Sequence, residues 1–247
     1  MRSCLLAFGF FLITLNSVQA QSASSSRSTV VTDVPSPTTI HGIGFSRMSN
    51  YNPERSYKKA RESAFIDLEA SLLTSVMLEY YGTDNSPSRL RSEFAISDSI
   101  QSEQVINVDS VHIGEWAVYY LADQQETYSF PQAIVDAALM TSWIEDLYTP
   151  KNIDGFWIAA GSSKATSYNP NRGWTRAKQH ALTQLSEFLN TKVQSLERLT
   201  NENLETVHYV TSKHIFNNIG VIGRRVIDDK YVVLVIVDEL NVIQLED

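Results

Sequence analysis

One stretch of this chain occurs twice. Residues 44–76 can be laid on residues 161–193 without a gap, at an offset of 117 (161 − 44). The same residue then stands at Gly44/Gly161, Ser46/Ser163, Tyr51/Tyr168, Asn52/Asn169, Pro53/Pro170, Arg55/Arg172, Ala60/Ala177, Ala64/Ala181, Leu68/Leu185, Leu72/Leu189, Thr74/Thr191 and Val76/Val193. Those are twelve positions, where unrelated segments would share roughly two at ordinary residue frequencies. Such a repeat predicts two homologous structural units in tandem.

The retained positions describe the unit. Ala60, Ala64, Leu68, Leu72 and Val76 are spaced by four, so they lie along one stripe of a helix, widened by Tyr57 and Phe65. The spacing predicts helices over 57–76 and 174–193. Two alanines in the first half of each stripe let the helix backbone approach its partner closely, and the leucines fill a wider gap beyond. Asn52-Pro53 and Asn169-Pro170 mark the start: Asn caps free N–H groups, and Pro suits the first helical position because it has no N–H to lose. Gly173 weakens the first turn of the second copy.

Each helix is flanked by strand signals. "TTIHGIGFSRM" and "GFWIAAGSSKA" precede the two helices; "EQVINVDSVHI", "EWAVYYLA" and "TYSF" follow the first, and "ETVHYVTSKHIF", "IGVIGRRVI" and "KYVVLVIVDEL" the second. Residues 123–126 and 228–230 read as turns. The expected fold class is α+β: two homologous units, each a long helix packed on a mostly antiparallel sheet, in the order strand, helix, about three strands. A further amphipathic helix over 131–148 joins the units. The predicted boundaries are a first unit at 38–149 and a second at 150–247.

Residues 1–37 read differently. Arg2, the apolar run over 4–15 and the small residues of Val18-Gln19-Ala20 predict a secretory signal peptide over 1–20, and the Ser-, Thr- and Pro-rich 21–37 a flexible leader. Cys4, the only cysteine, falls inside the signal, so no disulfide or thiolate metal site is expected after cleavage. No later run is long and apolar enough for a transmembrane helix. A formal charge of -8 argues against nucleic acid as a partner.

A glycine-bearing strand, a helix reading A-x-x-x-A-x-x-x-L and a closing hairpin resembles the LPP20 lipoprotein family and the related domains of flagellar ring proteins such as FlgT and FlgP. "GIGFSRMSNYNPERSYKKARESAFIDLEASL", "AAGSSKATSYNPNRGWTRAKQHALTQLSEFL" and "VIDDKYVVLVIV" carry the resemblance. It implies an exported Gram-negative envelope protein, periplasmic or peripheral to the outer membrane, that assembles with other envelope proteins, ring-forming or homo-oligomeric, and catalyses nothing. The lipidation cysteine of LPP20 is absent here, and so is its single-domain layout.

No catalytic, cofactor or metal constellation stands out. His41, His112, His180, His208 and His214 are isolated, without H-E-x-x-H or metal-ligand spacing. "GSS" at 161–163 lacks the G-x-S-x-G frame, and "IGVIGRR" spaces its glycines for a bulge or turn. Tyr51 and Tyr168, kept in both copies, either pack back on the helix as staples or, with Arg55 and Arg172, form a protein interface. The expected function is assembly or scaffolding in the envelope, with a flagellum as the structure the resemblance implies. The alternatives are a periplasmic ligand- or peptide-binding module with a cleft between the units, lined by Trp116, Trp143, Trp157 or Trp174, and an exported hydrolase in which His112 or His208 meets an acid and a hydroxyl.

Overall fold

The computed structural model describes residues 38–83, 86–96, 105–123, 128–140, 149–165, 168–198 and 208–245. The predicted signal peptide and leader, the second part of the predicted joining helix and Trp143 lie outside them. In chain order the elements are β1 (Gly42–Arg47), α1 (Pro53–Leu72), β2 (Leu73–Thr83), β3 (Ser86–Ile96), β4 (Val105–Ile113), β5 (Trp116–Asp123), α2 (Gln132–Leu139), β6 (Lys151–Ile153), β7 (Phe156–Lys164), α3 (Pro170–Arg198), β8 (His208–Asn217), β9 (Gly220–Ile227), β10 (Lys230–Asp238) and β11 (Val242–Leu245). The fold is α+β, and every pairing between these strands is antiparallel.

The strands form three sheets: β1-β5-β4, β6-β7-β10-β9, and β11-β8-β2-β3. In the first two, the strand preceding a long helix pairs with a strand that follows that helix in the same half, β1 with β5 and β7 with β10. Helix α1 lies on the first sheet and α3 on the second. The contact is equally close in both: a Cβ on Gly44 would collide with the backbone at Ala60 and Ala64, and one on Gly161 with the backbone at Ala177 and Ala181. That is why both strands carry glycine where the helix carries alanine. Ala60, Ala64, Leu68, Ala177, Ala181 and Leu185 are all fully buried, so both predicted ridges face inward.

The third sheet has no counterpart in the sequence reading. The predicted first helix reaches Val76, but α1 stops at Leu72. The run "LTSVMLEYYGT" that follows is rich in β-branched and aromatic side chains and forms β2. The end of α1 is well satisfied. Thr74 Oγ1 and Ser71 Oγ donate to the carbonyls of Ala70 and Asp67, and the amides of Asn218 and Ile219 donate to those of Leu72 and Ser71. Strand β2 then pairs with β8 from Leu73↔Asn217 to Gly82↔His208, so the two halves share this sheet. Of "TYSF", the described residues form no named strand: Ser129 makes the isolated bridge with Thr39, and the Phe130 amide donates to Thr38 O at 2.7 Å.

The core divides around β10. Tyr231, Val233, Val235 and Val237 join a cluster with the α3 ridge, β1, β5 and the shared sheet; Val232, Leu234 and Ile236 join one with α1, α2 and Phe130. Both faces of β10 are buried, which accounts for its unbroken apolar sequence. The Asp228-Asp229 turn holds both residues at positive φ, the two-residue hairpin geometry whose twist suits the strands. Within "IGVIGRR", Ile222 is skipped in the pairing with β10, the predicted bulge.

Candidate functional site

The four residues singled out from the sequence sit at the two strand-to-helix junctions. Asn52 Oδ1 accepts the Arg55 amide at 3.0 Å and Asn169 Oδ1 accepts the Arg172 amide at 3.1 Å, so the repeated Asn-Pro pair caps both helices identically. Tyr51 is 101% exposed and Tyr168 94%, which rules out staple packing for either ring. Arg55 and Arg172 are also exposed. The two arginines open onto different recesses. Arg172 lines a cleft of about 240 Å³ with Ile66, Asp67, Ile96, Asn171 and Trp174. Arg55 lines one of about 260 Å³ with Ser46, Arg47, Ser49, Ser56 and Lys59.

The first recess lies where α3 meets α1 and β1. The Asn171 amide is the pivot: its Oδ1 accepts Phe45 N–H at 2.7 Å, and its Nδ2 donates to Phe45 O at 2.7 Å and to Ser63 Oγ at 3.1 Å. One side chain thus mimics a neighbouring strand along the outer edge of β1, an edge that would otherwise invite another chain. Asp67 extends the same device, its Oδ2 accepting Ile43 N–H at 3.0 Å; in the second half, His180 Nδ1 accepts Ser162 N–H at 3.1 Å. Ile66 and Ile96 remain exposed on the walls of the cleft, with Trp174 buried behind them.

Asp67 also anchors a buried charge network. Lys178 Nζ donates to Asp67 Oδ1 at 2.6 Å, to Asp67 O at 3.0 Å and to Ser71 Oγ at 3.0 Å, while Arg224 Nη2 reaches Asp67 Oδ2 at 3.1 Å. The lysine and arginine side chains keep only 4% and 2% of their surface. Burial acts to raise the Asp67 pKa, but the attraction of Lys178 and then Arg224 holds the carboxyl below its ordinary value. Lys178 moves down as well, because burial penalises its charge and Arg224 repels it, against the pull of Asp67. The asymmetry is physical: one carboxylate faces two cations. Burial also pushes Arg224 down. His41 lies in the field of the same network and falls to about 4, through burial first and Arg224 second. The network ties α1 to α3 and β9, joining the halves.

His214 Nδ1 and Ser186 Oγ lie 2.6 Å apart between β8 and α3. Burial lowers His214 to about 4. Both side chains are sealed in the interior, at 1% and 0% exposure, so no substrate reaches the hydroxyl and the pair is a structural cross-tie. Trp116 and Trp157 belong to the core; of the tryptophans weighed as cleft walls, Trp174 lines the first recess. Among those residues no three His, Cys, Asp or Glu come together as metal ligands, and no helix is long and apolar enough to cross a membrane.

Comparison with protein-family models, with curated proteins and with solved structures returned no match. The sequence reading missed Asp67, Lys178, Arg224 and Asn171, since residues 111 and 157 positions apart in the chain form no local motif. One signal was present. Ser63, Asp67 and Ser71 are spaced by four along the flank of an otherwise apolar ridge, a polar seam that only a polar partner can cover.

Proposed function

We propose that this chain is a non-enzymatic exported envelope protein, a tandem duplication that acts in assembly at the periplasm or the outer membrane. Its partners are envelope proteins that form rings or repeat, of the flagellar kind implied by the resemblance, or further copies of itself. The observation that carries the reading is the full exposure of Tyr51 and Tyr168, each beside a capped helix start bearing an exposed arginine. Tyr and Arg are the residues that interfaces favour. Two such corners on one chain suit a partner that repeats. The test is recovery of envelope proteins on the tagged chain, wild type against Tyr51→Ser/Tyr168→Ser, alongside swimming of a deletion strain. Loss of a specific partner in the variant supports the reading; the same proteins on both baits, or none on either, overturns it.

A second reading rests on the cleft between α1 and the start of α3. Its exposed Ile66 and Ile96 and buried Trp174, set among polar groups that include Arg172, Asn171 and Asp67, suit a small ligand or peptide with both apolar and polar parts. Ile66→Arg would abolish ligand-induced stabilisation in that reading and leave the envelope partners unchanged.

A further inference from the structure

The recess at the first strand-to-helix junction concentrates positive charge on a protein whose formal charge is -8. Arg47 at the end of β1 and Arg55 and Lys59 on the first turns of α1 supply three cations around about 260 Å³. Arg55 and Lys59 are four apart on the helix, a like-charged pair that repels across one turn. Glu115 meets Arg47 at 2.9 Å; Arg55 and Lys59 line the recess facing no carboxylate among its lining residues.

The hydroxyls complete the chemistry. Ser56 is 3% exposed, and its Oγ accepts Ser49 N–H at 3.0 Å; Ser49 Oγ accepts Asn52 N–H at 3.2 Å. Each hydroxyl oxygen accepts on the protein side, which leaves its O–H as a donor. The Arg55 amide is occupied by Asn52, so side chains and not the helix end make the site. Several cations and hydroxyl donors converging on one space match an acceptor with several charged oxygens.

The second half keeps the cations but not the matching recess, and its Arg172 opens instead onto the cleft beside α1. At the same offset of 117, Arg47, Arg55 and Lys59 correspond to Lys164, Arg172 and Arg176, and Ser46 to Ser163. Ser56, however, becomes Gly173. Ser46 pairs with Ala117 on β5, whereas Ser163 pairs with Tyr231 on β10. The Tyr231 ring lies where a Cβ of Gly173 would be, tilted against Trp174 with ring centroids 4.4 Å apart, and Ser163 Oγ donates to Gly173 O at 2.7 Å. An aromatic ring fills what the first half leaves open.

We infer that the recess of Ser46, Arg47, Ser49, Arg55, Ser56 and Lys59 binds a phosphate-type oxyanion, and that the second junction does not. The inference does not depend on the assembly role, which is read from partner recovery. The test titrates the full chain with inorganic phosphate, and separately with phosphatidylcholine vesicles with and without phosphatidic acid. The proteins are wild type, Arg55→Gln/Lys59→Gln and Arg172→Gln/Arg176→Gln, with melting curves in phosphate-free buffer confirming that both variants fold.

Saturable binding of phosphate that weakens about tenfold or more in the first variant, and stays within about twofold of wild type in the second, supports a free-phosphate site. The same dependence seen only with phosphatidic acid assigns the site to a lipid headgroup and supports it equally. No binding up to roughly 10 mM phosphate or to either vesicle, or equal losses in the two variants, overturns it.

Discussion

The two halves meet their sheets through the same residues and part company at the ends of their helices. Gly44 under Ala60 and Ala64 and Gly161 under Ala177 and Ala181 are the same solution to the same packing problem. Thr74 and Val76 then enter a strand, while their counterparts Thr191 and Val193 continue a helix to Arg198. A shared ridge therefore fixes where a helix docks but not how long it runs. The first half spends those residues on the strand that joins it to the second. The halves also differ in charge: Asp67 anchors the buried network, and its counterpart in the second half is Gln184.

The sharpest way to break this comparison is to remove the anchor. Asp67→Ala leaves Lys178 and Arg224 as buried cations without a carboxylate, and the expected loss is about 3–5 kcal/mol in urea unfolding. Gln184→Ala, at the matched place, loses far less. A smaller loss for Asp67→Ala would mean that the network is not what ties the halves together. Next in size are Gly44→Ala and Gly161→Ala, each forcing a methyl into a helix backbone, with expected losses of about 1–3 kcal/mol or more. The comparison predicts similar values, and a tolerated substitution at one site alone would break the equivalence. Asn171→Ala, which bares the edge of β1, should cost about 1–3 kcal/mol.

Acid probes one histidine in each half. His41 and His214 stand at about 4 against an ordinary 6.5. The unfolded chain therefore binds more protons between those values, so the stability each neutral ring provides is complete above pH 6.5 and is lost as pH falls towards 4. Urea midpoints should fall over that window, and His41→Gln or His214→Gln should flatten part of the slope. Asp67, held below its ordinary value, keeps its contribution until pH falls further. Tyr51→Ser and Tyr168→Ser give the smallest effects, within about 0.5 kcal/mol, since neither ring is packed.

What the sequence made legible was whatever is periodic or local. The Ala/Leu ridges, the Asn-Pro caps, the Asp228-Asp229 turn and the strands β7 to β10 all follow from spacing or turn chemistry within a few residues. The stop at Leu72 did not, because no Gly or Pro marks it: the leucines, Thr74 and Val76 fit a helical stripe as well as a strand, and pairing with β8 decides between them. The buried network was hidden for the same reason. Charge partners over a hundred residues apart leave only a polar flank beside an apolar ridge. That Tyr51 and Arg55, and Tyr168 and Arg172, sit at one helix start was legible from the repeat alone, but the recess that Tyr231 closes in one half and Ala117 leaves open in the other depended on strand register.

The shared sheet is the claim on which the rest depends, and a disulfide measures it directly. With Cys4→Ser to remove the only native thiol, Ser75→Cys/Ile215→Cys places two thiols on directly paired residues of β2 and β8, and Ser75→Cys/Lys213→Cys places them two residues out of register, about 7 Å apart or more. Under mild oxidation the matched pair should close within the monomer and the displaced pair should lag well behind. A matched pair that stays open, or a displaced pair that closes as readily, would contradict the joining of the two halves through β2 and β8.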